Sequence, residues 1–274
     1  MSLSEAEFSY VRDLVYRQAA IVLEKEKNYL VEARLSPLVR RHGFNSMSEM
    51  VAQMRSQPNN GLSWHAVEAM TTNETSFFRD VHPFELLKKN VLPELIQCRA
   101  ALRQINFWCA AASSGQEIYT ILMLLRENFP QLQTWKINFI ASDISKEMLE
   151  RCREGCYSQL EVNRGLPAQL LVKFFQKIGT EWQIKEELRR MVDFRQLNLA
   201  QAWPALPPMD VIFMRNVLIY FDMETKKGIL SRVKRILKPD GYFFLGGAET
   251  TLNIDESFKR VQIDKTAYYR TGPV

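Results

Sequence analysis

Apolar positions in the first 70 residues recur at helical spacing. Phe8, Val11, Leu14, Val15, Ile21 and Val22 follow Ser4 and Glu7, a capping box that predicts a helix start just after Ser4. A second helix is predicted near Asn28 to His42, stopped by Gly43, and a third after Ser46, capped together with Glu49. From about residue 102 the pattern changes to short, apolar, β-rich runs separated by helical stretches. Strands are predicted at Ile105 to Cys109, Ile137 to Ser142, Val192 to Leu197, Met209 to Met214, Tyr242 to Leu245, Phe258 to Ile263 and Ala267 to Arg270. Helices are predicted between them at Gln116 to Asn128, Lys146 to Arg153 and Glu224 to Leu237. Such alternation argues for an α/β fold with a mainly parallel sheet covered by helices. The last two runs lie only a few residues apart and should close the sheet as an antiparallel hairpin. From Tyr157 to Met191 the alternation breaks. A helix-like Pro167 to Phe175, a strand-like Trp182 to Lys185 and a helical Glu186 to Arg190 read there as an inserted subdomain with one or two short strands. The expected organisation is an all-helical N-terminal domain over 1–72, then a domain over 73–274 carrying a small β-subdomain at about 157–191.

Composition narrows the function classes. The 274 residues are 46% hydrophobic and 24% charged, enough to bury a core, which excludes a disordered or fibrous chain. The longest apolar stretch, Ile118 to Leu125, falls short of the roughly 20 residues that span a bilayer. The start, Met1 to Glu7, carries acids where a signal peptide needs a basic region, so a cytoplasmic protein without membrane insertion is expected. The net charge of +5 arises after residue 150 and is diffuse; it argues against nucleic acid and suits an acidic partner. Arg34, Arg40 and Arg41, on or near the second helix, are either a solvated face or a contact surface for such a partner. Cys98, Cys109, Cys152 and Cys156, with His42, His65 and His82, show no zinc-type spacing apart from the helical pair Cys152 and Cys156. They read as reduced thiols with no metal.

The stretch Phe107 to Glu117 runs from a strand through Ala110, Ala111, Ala112, Ser113, Ser114 and Gly115 into a helix. Small residues at such a turn let a ligand approach the backbone, and the helix N-terminus favours an anionic group. A tight turn without ligand is the plainer alternative. Asp143 ends the next strand, where an acid accepts hydrogen bonds from ribose hydroxyls in doubly wound folds, and it could also cap the helix beginning at Ser145. NAD remains open on spacing alone, but a dinucleotide site wants Gly-x-Gly-x-x-Gly and only Gly115 is present. S-adenosylmethionine has a ribose and no phosphate, and its cationic groups would suit Glu117.

Four ordered motifs, Met70-Thr71-Thr72-Asn73-Glu74-Thr75-Ser76-Phe77-Phe78-Arg79-Asp80, Ser113 to Tyr119, Ala141 to Ser145 and Phe213-Met214-Arg215-Asn216-Val217-Leu218-Ile219-Tyr220-Phe221, resemble the CheR family of chemotaxis receptor glutamate O-methyltransferases. The resemblance extends over nearly the whole chain, to the closing Leu237 to Tyr242. It implies a helical N-terminal domain before a Rossmann-like class I methyltransferase domain that binds S-adenosylmethionine, releases S-adenosylhomocysteine and carries a small inserted β-subdomain. By motif, Asn73, Thr75 and Arg79 would line the cofactor and substrate side of the pocket. Glu117 would hold the methionine amino group, Asp143 the ribose, and Asn198 with Leu199 the adenine. Arg215 and Asn216 would complete the floor, and Tyr220 would lie beside the transferred methyl. Arg79 and Tyr220 are the expected catalytic pair, orienting the incoming carboxylate.

Departures from the family pattern are Ala111 for a glycine, Gln116 for a second acid and Ile118 for a proline. The resemblance implies chemoreceptor cytoplasmic helical bundles as partners. The short turn Ile178-Gly179-Thr180-Glu181 replaces a longer, glycine-rich one and argues against tethering to a receptor tail peptide; a monomer is expected. A glutamate, with an unperturbed pKa of about 4.3, is already the nucleophile at neutral pH and needs no general base, so the task of such an enzyme is positioning. The rivals are a methyltransferase of another acceptor and a cofactor-binding regulatory member without activity.

Overall fold

The computed structural model describes residues 3–57 and 61–272, so Met1 and Ser2 of the acidic start lie outside the described residues. The chain divides into two compact units, Met1–Thr72 with Tyr220–Thr225, and Asn73–Ile219 with Lys226–Val274.

The smaller unit is built from α1 (Glu5–Ala19), α2 (Asn28–Arg41), α3 (Met47–Ser56) and α4 (Gly61–Ala69). Its first cap is a complete capping box: the Ser4 hydroxyl accepts from Glu7 N–H and the Glu7 carboxylate accepts from Ser4 N–H. The second is half of one, because Glu49 turns its carboxylate to Asn45 N–H instead of Ser46. Val11, Val15, Val31, Leu35, Met50, Met54, Ala66 and Val67 form the buried faces. α1 stops sooner than its apolar spacing implies, as Ala20 takes a left-handed conformation (φ 55°). Ile21 and Val22 therefore lie beyond the helix, where Ile21 bridges antiparallel to Phe221 and Val22 N–H donates to the Tyr220 carbonyl. The Tyr16 hydroxyl donates to Asp222. The segment Tyr220–Thr225 is thus strapped onto the helical unit.

The larger unit begins with α5 (His82–Leu86) and α6 (Leu92–Cys98) and continues as β1 (Gln104–Ala110), α7 (Gln116–Asn128), β2 (Lys136–Asp143) and α8 (Lys146–Glu154). A small insertion follows, with β3 (Cys156–Tyr157), α9 (Gln159–Asn163), α10 (Ala168–Phe174), β4 (Phe175–Ile178), β5 (Glu181–Ile184) and α11 (Glu186–Arg189). The main fold resumes with β6 (Val192–Gln196), β7 (Met209–Phe213), α12 (Met223–Ile236), β8 (Leu237–Phe244), β9 (Lys259–Ile263) and β10 (Thr266–Arg270). The main sheet has the order β6-β2-β1-β7-β8-β10-β9; its first five strands run parallel and β10 and β9 are antiparallel. This is the expected Rossmann-like α/β sheet with an antiparallel end. β1 is central and buried on both faces, as a parallel strand between helix layers must be. Phe107 stacks on Phe139 of β2 on one face (4.9 Å), and Trp108 on the other donates to Ser142 Oγ (2.8 Å).

The insertion holds a three-stranded antiparallel sheet, β3-β5-β4, one strand more than the largest number expected. Phe175 opens β4 and pairs with Ile184, where the apolar pattern had assigned it to the end of a helix. Gly155 (φ 61°) terminates α8, so Cys156 sits on β3 and does not share a helix with Cys152. Gly179 (φ 59°) supplies the positive torsion of the two-residue turn between β4 and β5. The subdomain braces the segment that follows Thr72: Phe77 packs edge-on against Tyr157 (5.0 Å) and Phe175 (5.7 Å). Gly165 (φ 92°) lies so close to the Phe77 carbonyl that a Cβ there would collide with it.

Toward the far end of β1, Asp210 accepts from Arg99 Nε (2.7 Å), Asn106 N–H (2.8 Å) and Lys238 Nζ (2.8 Å), while Arg99 also forks onto Asp240 (2.8 and 2.6 Å). The paired guanidinium holds the Asp240 carboxyl below its usual range.

Candidate functional site

β1 has β2 on one side and β7 on the other, and the connections leave in opposite directions, so a crevice opens at the carboxyl ends of these strands. The loops that line it are 111–115 after β1, 143–145 after β2, 197–199 after β6 and 214–219 after β7. Several of their residues are held in the left-handed region, among them Ala111 (φ 57°), Ser113 (φ 50°) and Asn216 (φ 58°), a clustering of strain characteristic of functional sites. Ala111 shows why a glycine is favoured at that position: its Cβ is carried in a conformation that disfavours L residues. Gly115 (φ 96°) is needed twice over, because a Cβ there would also strike Cys152 Sγ.

Asp143 is buried and ties two of the loops together. One carboxylate oxygen accepts from Ser113 N–H (2.8 Å) and the other from Ser145 N–H (2.9 Å). Ser145 itself caps α8 through Met148 N–H. Ser113 Oγ donates in turn to the Asn73 carbonyl (2.9 Å), and Tyr157 OH to the Ser114 carbonyl (2.7 Å). Asn73 and Asp143 are therefore held by the same serine, one through its side chain and the other through its backbone.

A second network surrounds Glu117, whose side chain is 13% exposed on the first turn of α7. Its carboxylate pairs with Arg215 Nη1 (2.7 Å), and Arg215 Nη2 donates to Asp80 (2.6 Å) and to the Arg79 carbonyl (3.0 Å). The Arg215 side chain, 2% exposed, lies over the Phe84 ring (5.6 Å), and among the described residues its Nε has no partner. Burial pushes the Glu117 carboxyl above its usual range, against the pull of the Arg215 guanidinium. Arg79 Nη1 donates to the Glu74 carbonyl (2.8 Å); the Glu74 carboxylate pairs with Arg164 and that of Asp80 with Arg215. Neither acid thus forms the side-chain ion pair that would reduce Arg79 to a simple surface bridge.

The remaining candidates lie in the segment after Thr72 and in the loops after β6 and β7. Thr75 is half-buried between Asn73 and Phe77. Asn198 is half-buried and folds its Oδ1 back onto Ala200 N–H (3.0 Å). The carbonyl of the buried Leu199 accepts from Trp203 Nε1 and Arg232 Nη2. Asn216 N–H donates to Glu249 (2.7 Å). Tyr220 belongs instead to the strap of the helical unit. Sequence reading missed the role of Asp80 as a partner of Arg215, and it missed Glu249 entirely. An acid two residues beyond Gly246-Gly247 carries no recognisable signal. Among the described residues no group of three or more histidine, cysteine or acidic side chains could hold a metal ion.

Residues 73–267 match the CheR methyltransferase SAM binding domain, and residues 6–71 match the CheR methyltransferase all-alpha domain. The chain is 39% identical to chemotaxis protein methyltransferase Cher2 of Pseudomonas putida and 40% identical to chemotaxis protein methyltransferase 1 of Pseudomonas aeruginosa; each match covers 98% of this chain and 99% of the relative. The chemotaxis protein methyltransferase of Escherichia coli is 36% identical over 94% of this chain and 89% of its own. With a SAM binding domain over most of its length and relatives of this kind from end to end, the chain belongs to the CheR family of S-adenosylmethionine-dependent chemotaxis methyltransferases.

Proposed function

We propose that the protein methylates glutamate side chains on the cytoplasmic helices of chemoreceptors, giving γ-glutamyl methyl esters and S-adenosylhomocysteine. The observation that carries the reading is the Glu117–Arg215–Asp80 network, buried at Glu117 and Arg215, beside the Asp143–Ser113 junction. Two carboxylates, not a cluster of basic groups, face the loop after β1. That suits a cofactor with a ribose and cationic groups and no phosphate. Glu117, whose charge is costly to bury, gains from a second cation beside it. In this reading Glu117 takes the amino group, Asp143 the ribose hydroxyls, and the loop at Asn198 and Leu199 the adenine. Asn73, Thr75 and Arg79 close the acceptor side, and Arg215 with Asn216 forms the floor. S-adenosylmethionine supplies an electrophilic methyl group on a sulfonium.

The acceptor glutamate is ionised at neutral pH, so the protein has no proton to remove. What remains is orientation. Arg79, whose guanidinium among the described residues donates to the Glu74 carbonyl and not to a carboxylate, would fix the incoming carboxylate by charge-assisted hydrogen bonds, and the Tyr220 hydroxyl would set its angle. The relatives' designation as chemotaxis protein methyltransferases supports receptors as the acceptor. Among the described residues no helix is long and apolar enough to cross a membrane, and the protein would meet receptors at their cytoplasmic bundles.

The test is transfer of a labelled methyl from S-adenosylmethionine to chemoreceptor-containing membranes, read as labelled methanol released by mild alkali. Base-labile label on the receptor is expected. Base-stable label would replace the acceptor class, and cofactor binding without any transfer would replace the catalytic reading with a regulatory one.

A further inference from the structure

We propose that Glu249 is a positioning residue for methyl transfer: its carboxylate fixes the backbone of the loop after β7, and with it the placement of Asn216. Glu249 Oε1 accepts from the N–H groups of Val217 (2.8 Å), Leu218 (2.7 Å) and Ile219 (3.3 Å), and Oε2 from those of Asn216 (2.7 Å) and Gly246 (2.7 Å). Five backbone donors thus converge on one half-buried side chain.

The local backbone explains the convergence. Asn216 is left-handed (φ 58°), which turns successive amides to one side and makes an anion-binding concavity. The next residues, Leu218–Tyr220, form a single helical turn. The leading amides of such a turn have no partner within it, and here the anion that satisfies them comes from a residue some 30 positions away along the chain. Gly246 completes the seat from the loop after β8, and it must be glycine because a Cβ there would run into the Asn216 and Glu249 side chains. Glu249 therefore locks together two loops at the carboxyl edge of the sheet.

The position of this lock separates it from ordinary loop capping. The residue just before the seat is Arg215, the partner of Glu117, and the residue just after it is Tyr220. Glu249 is also one of the charges that raise the Glu117 carboxyl, which puts it within electrostatic reach of the pocket. Held this way, Asn216 to Ile219 can present neighbouring side chains without paying to order the loop at each turnover. Loss of the carboxylate should accordingly reduce turnover more than it reduces cofactor affinity.

The inference rests on the methyltransferase reading above, and its experiment keeps the two apart. Wild type, Glu249→Ala and Glu249→Gln are compared for labelled methyl transfer to receptor membranes, for S-adenosylhomocysteine binding by calorimetry, and for transfer in added sodium formate. The expected result is a kcat at least tenfold lower in Glu249→Ala, cofactor affinity within about fivefold of wild type, and partial recovery of rate by formate, which can occupy the emptied seat. Glu249→Gln, which keeps the shape but turns an amide N–H₂ against two of the donors, should fold like wild type and lose at least threefold in kcat; it carries the test if the alanine variant is unstable. A kcat within twofold of wild type in both variants, a loss that lies wholly in cofactor affinity, or no response to formate would overturn the proposal. Base-stable label in the wild-type arm would instead overturn the ester reading and leave the ratio of variant to wild type to be scored on whichever acceptor takes the methyl.

Discussion

Replacing Glu117 with glutamine tests whether this carboxylate serves the cofactor or merely Arg215. The variant keeps the shape and one acceptor oxygen for Arg215 Nη1, now 2.7 Å from the carboxylate, and removes only the charge. Two effects have to be separated. Arg215, 2% exposed, still has Asp80 and the Arg79 carbonyl, so its guanidinium is not left unpaired and the cost to the fold should be modest. The cofactor's ammonium, by contrast, would lose a charged acceptor in a largely dehydrated place, where a hydrogen bond to a charged group is worth about 1.5–3 kcal/mol. That converts to a roughly ten- to hundredfold rise in Kd. Calorimetric titration with S-adenosylmethionine and S-adenosylhomocysteine at neutral pH reads it directly, with thermal unfolding of the cofactor-free variant as the control.

The same assay has a pH dependence of known sign. Burial raises the Glu117 carboxyl, so the charge is present above that raised value and is lost as pH falls through it. Wild-type affinity should therefore start to fall at a pH above the ordinary glutamate value of about 4.3, and the glutamine variant should not share that step. If Glu117→Gln lowers the unfolding temperature but the folded protein binds cofactor as tightly as wild type, Glu117 is only the counter-ion of Arg215 and the assignment fails.

Four further substitutions probe other parts of the argument. Asp143→Asn places an amide N–H₂ against either Ser113 N–H or Ser145 N–H, and should weaken cofactor binding about tenfold, the scale of one charge-assisted bond; unchanged calorimetric binding would remove Asp143 from the ribose role. Arg79→Ala should lower turnover on receptor membranes by about tenfold or more through lost orientation while leaving cofactor affinity nearly intact, and an unaltered rate would take Arg79 off the catalytic list. Ala111→Gly should be neutral or raise the unfolding temperature, since the left-handed conformation (φ 57°) costs an L residue about 1–2 kcal/mol; a marked loss of stability would show that Ala111 is not strained in solution. Asp240→Asn should cost up to about 1 kcal/mol at neutral pH, because half of the Asp240 side chain is exposed to solvent. The Asp240 carboxyl is lowered in the fold, so its contribution is full above the unfolded value of about 3.9 and fades as pH falls through the folded one. Urea midpoints of wild type and variant should converge at acid pH, and a gap that persists there would refute the ion-pair account.

The sheet was legible because a central parallel strand is apolar on both faces. The runs at Ile105 and Ile137 stand as the adjacent parallel strands β1 and β2, and α7 begins and ends at the residues its periodicity indicated. Where the reading slipped, a contact distant in sequence outweighed the local pattern. The strand expected from Tyr242 begins at Leu237, held by Arg99 on Asp240 and by Met209 paired with Leu237 across an irregularity in the register. Phe175 was counted as the end of a helix, but it is needed as the ring against which Phe77 packs.

The site shows the same division at closer range. Glu117 and Asp143 could be picked out because Asp143 ends one strand and Glu117 stands in the first turn of the helix that follows another, and both boundaries are visible in the sequence. The partners that set their electrostatics could not. Arg215 reaches Glu117 from another strand's loop, and the protonation behaviour of Glu117 depends on that distance and on burial, neither of which leaves a mark in local composition. Glu249 is the extreme case, since four of the five groups it binds are backbone amides from the loop after β7 and the fifth is that of Gly246. Backbone amides are identical at every residue but proline, so no side-chain pattern can announce where they will converge. What the sequence offers in such a place is a left-handed asparagine, a glycine and an acid, three ordinary residues whose joint meaning exists only once the two loops have met.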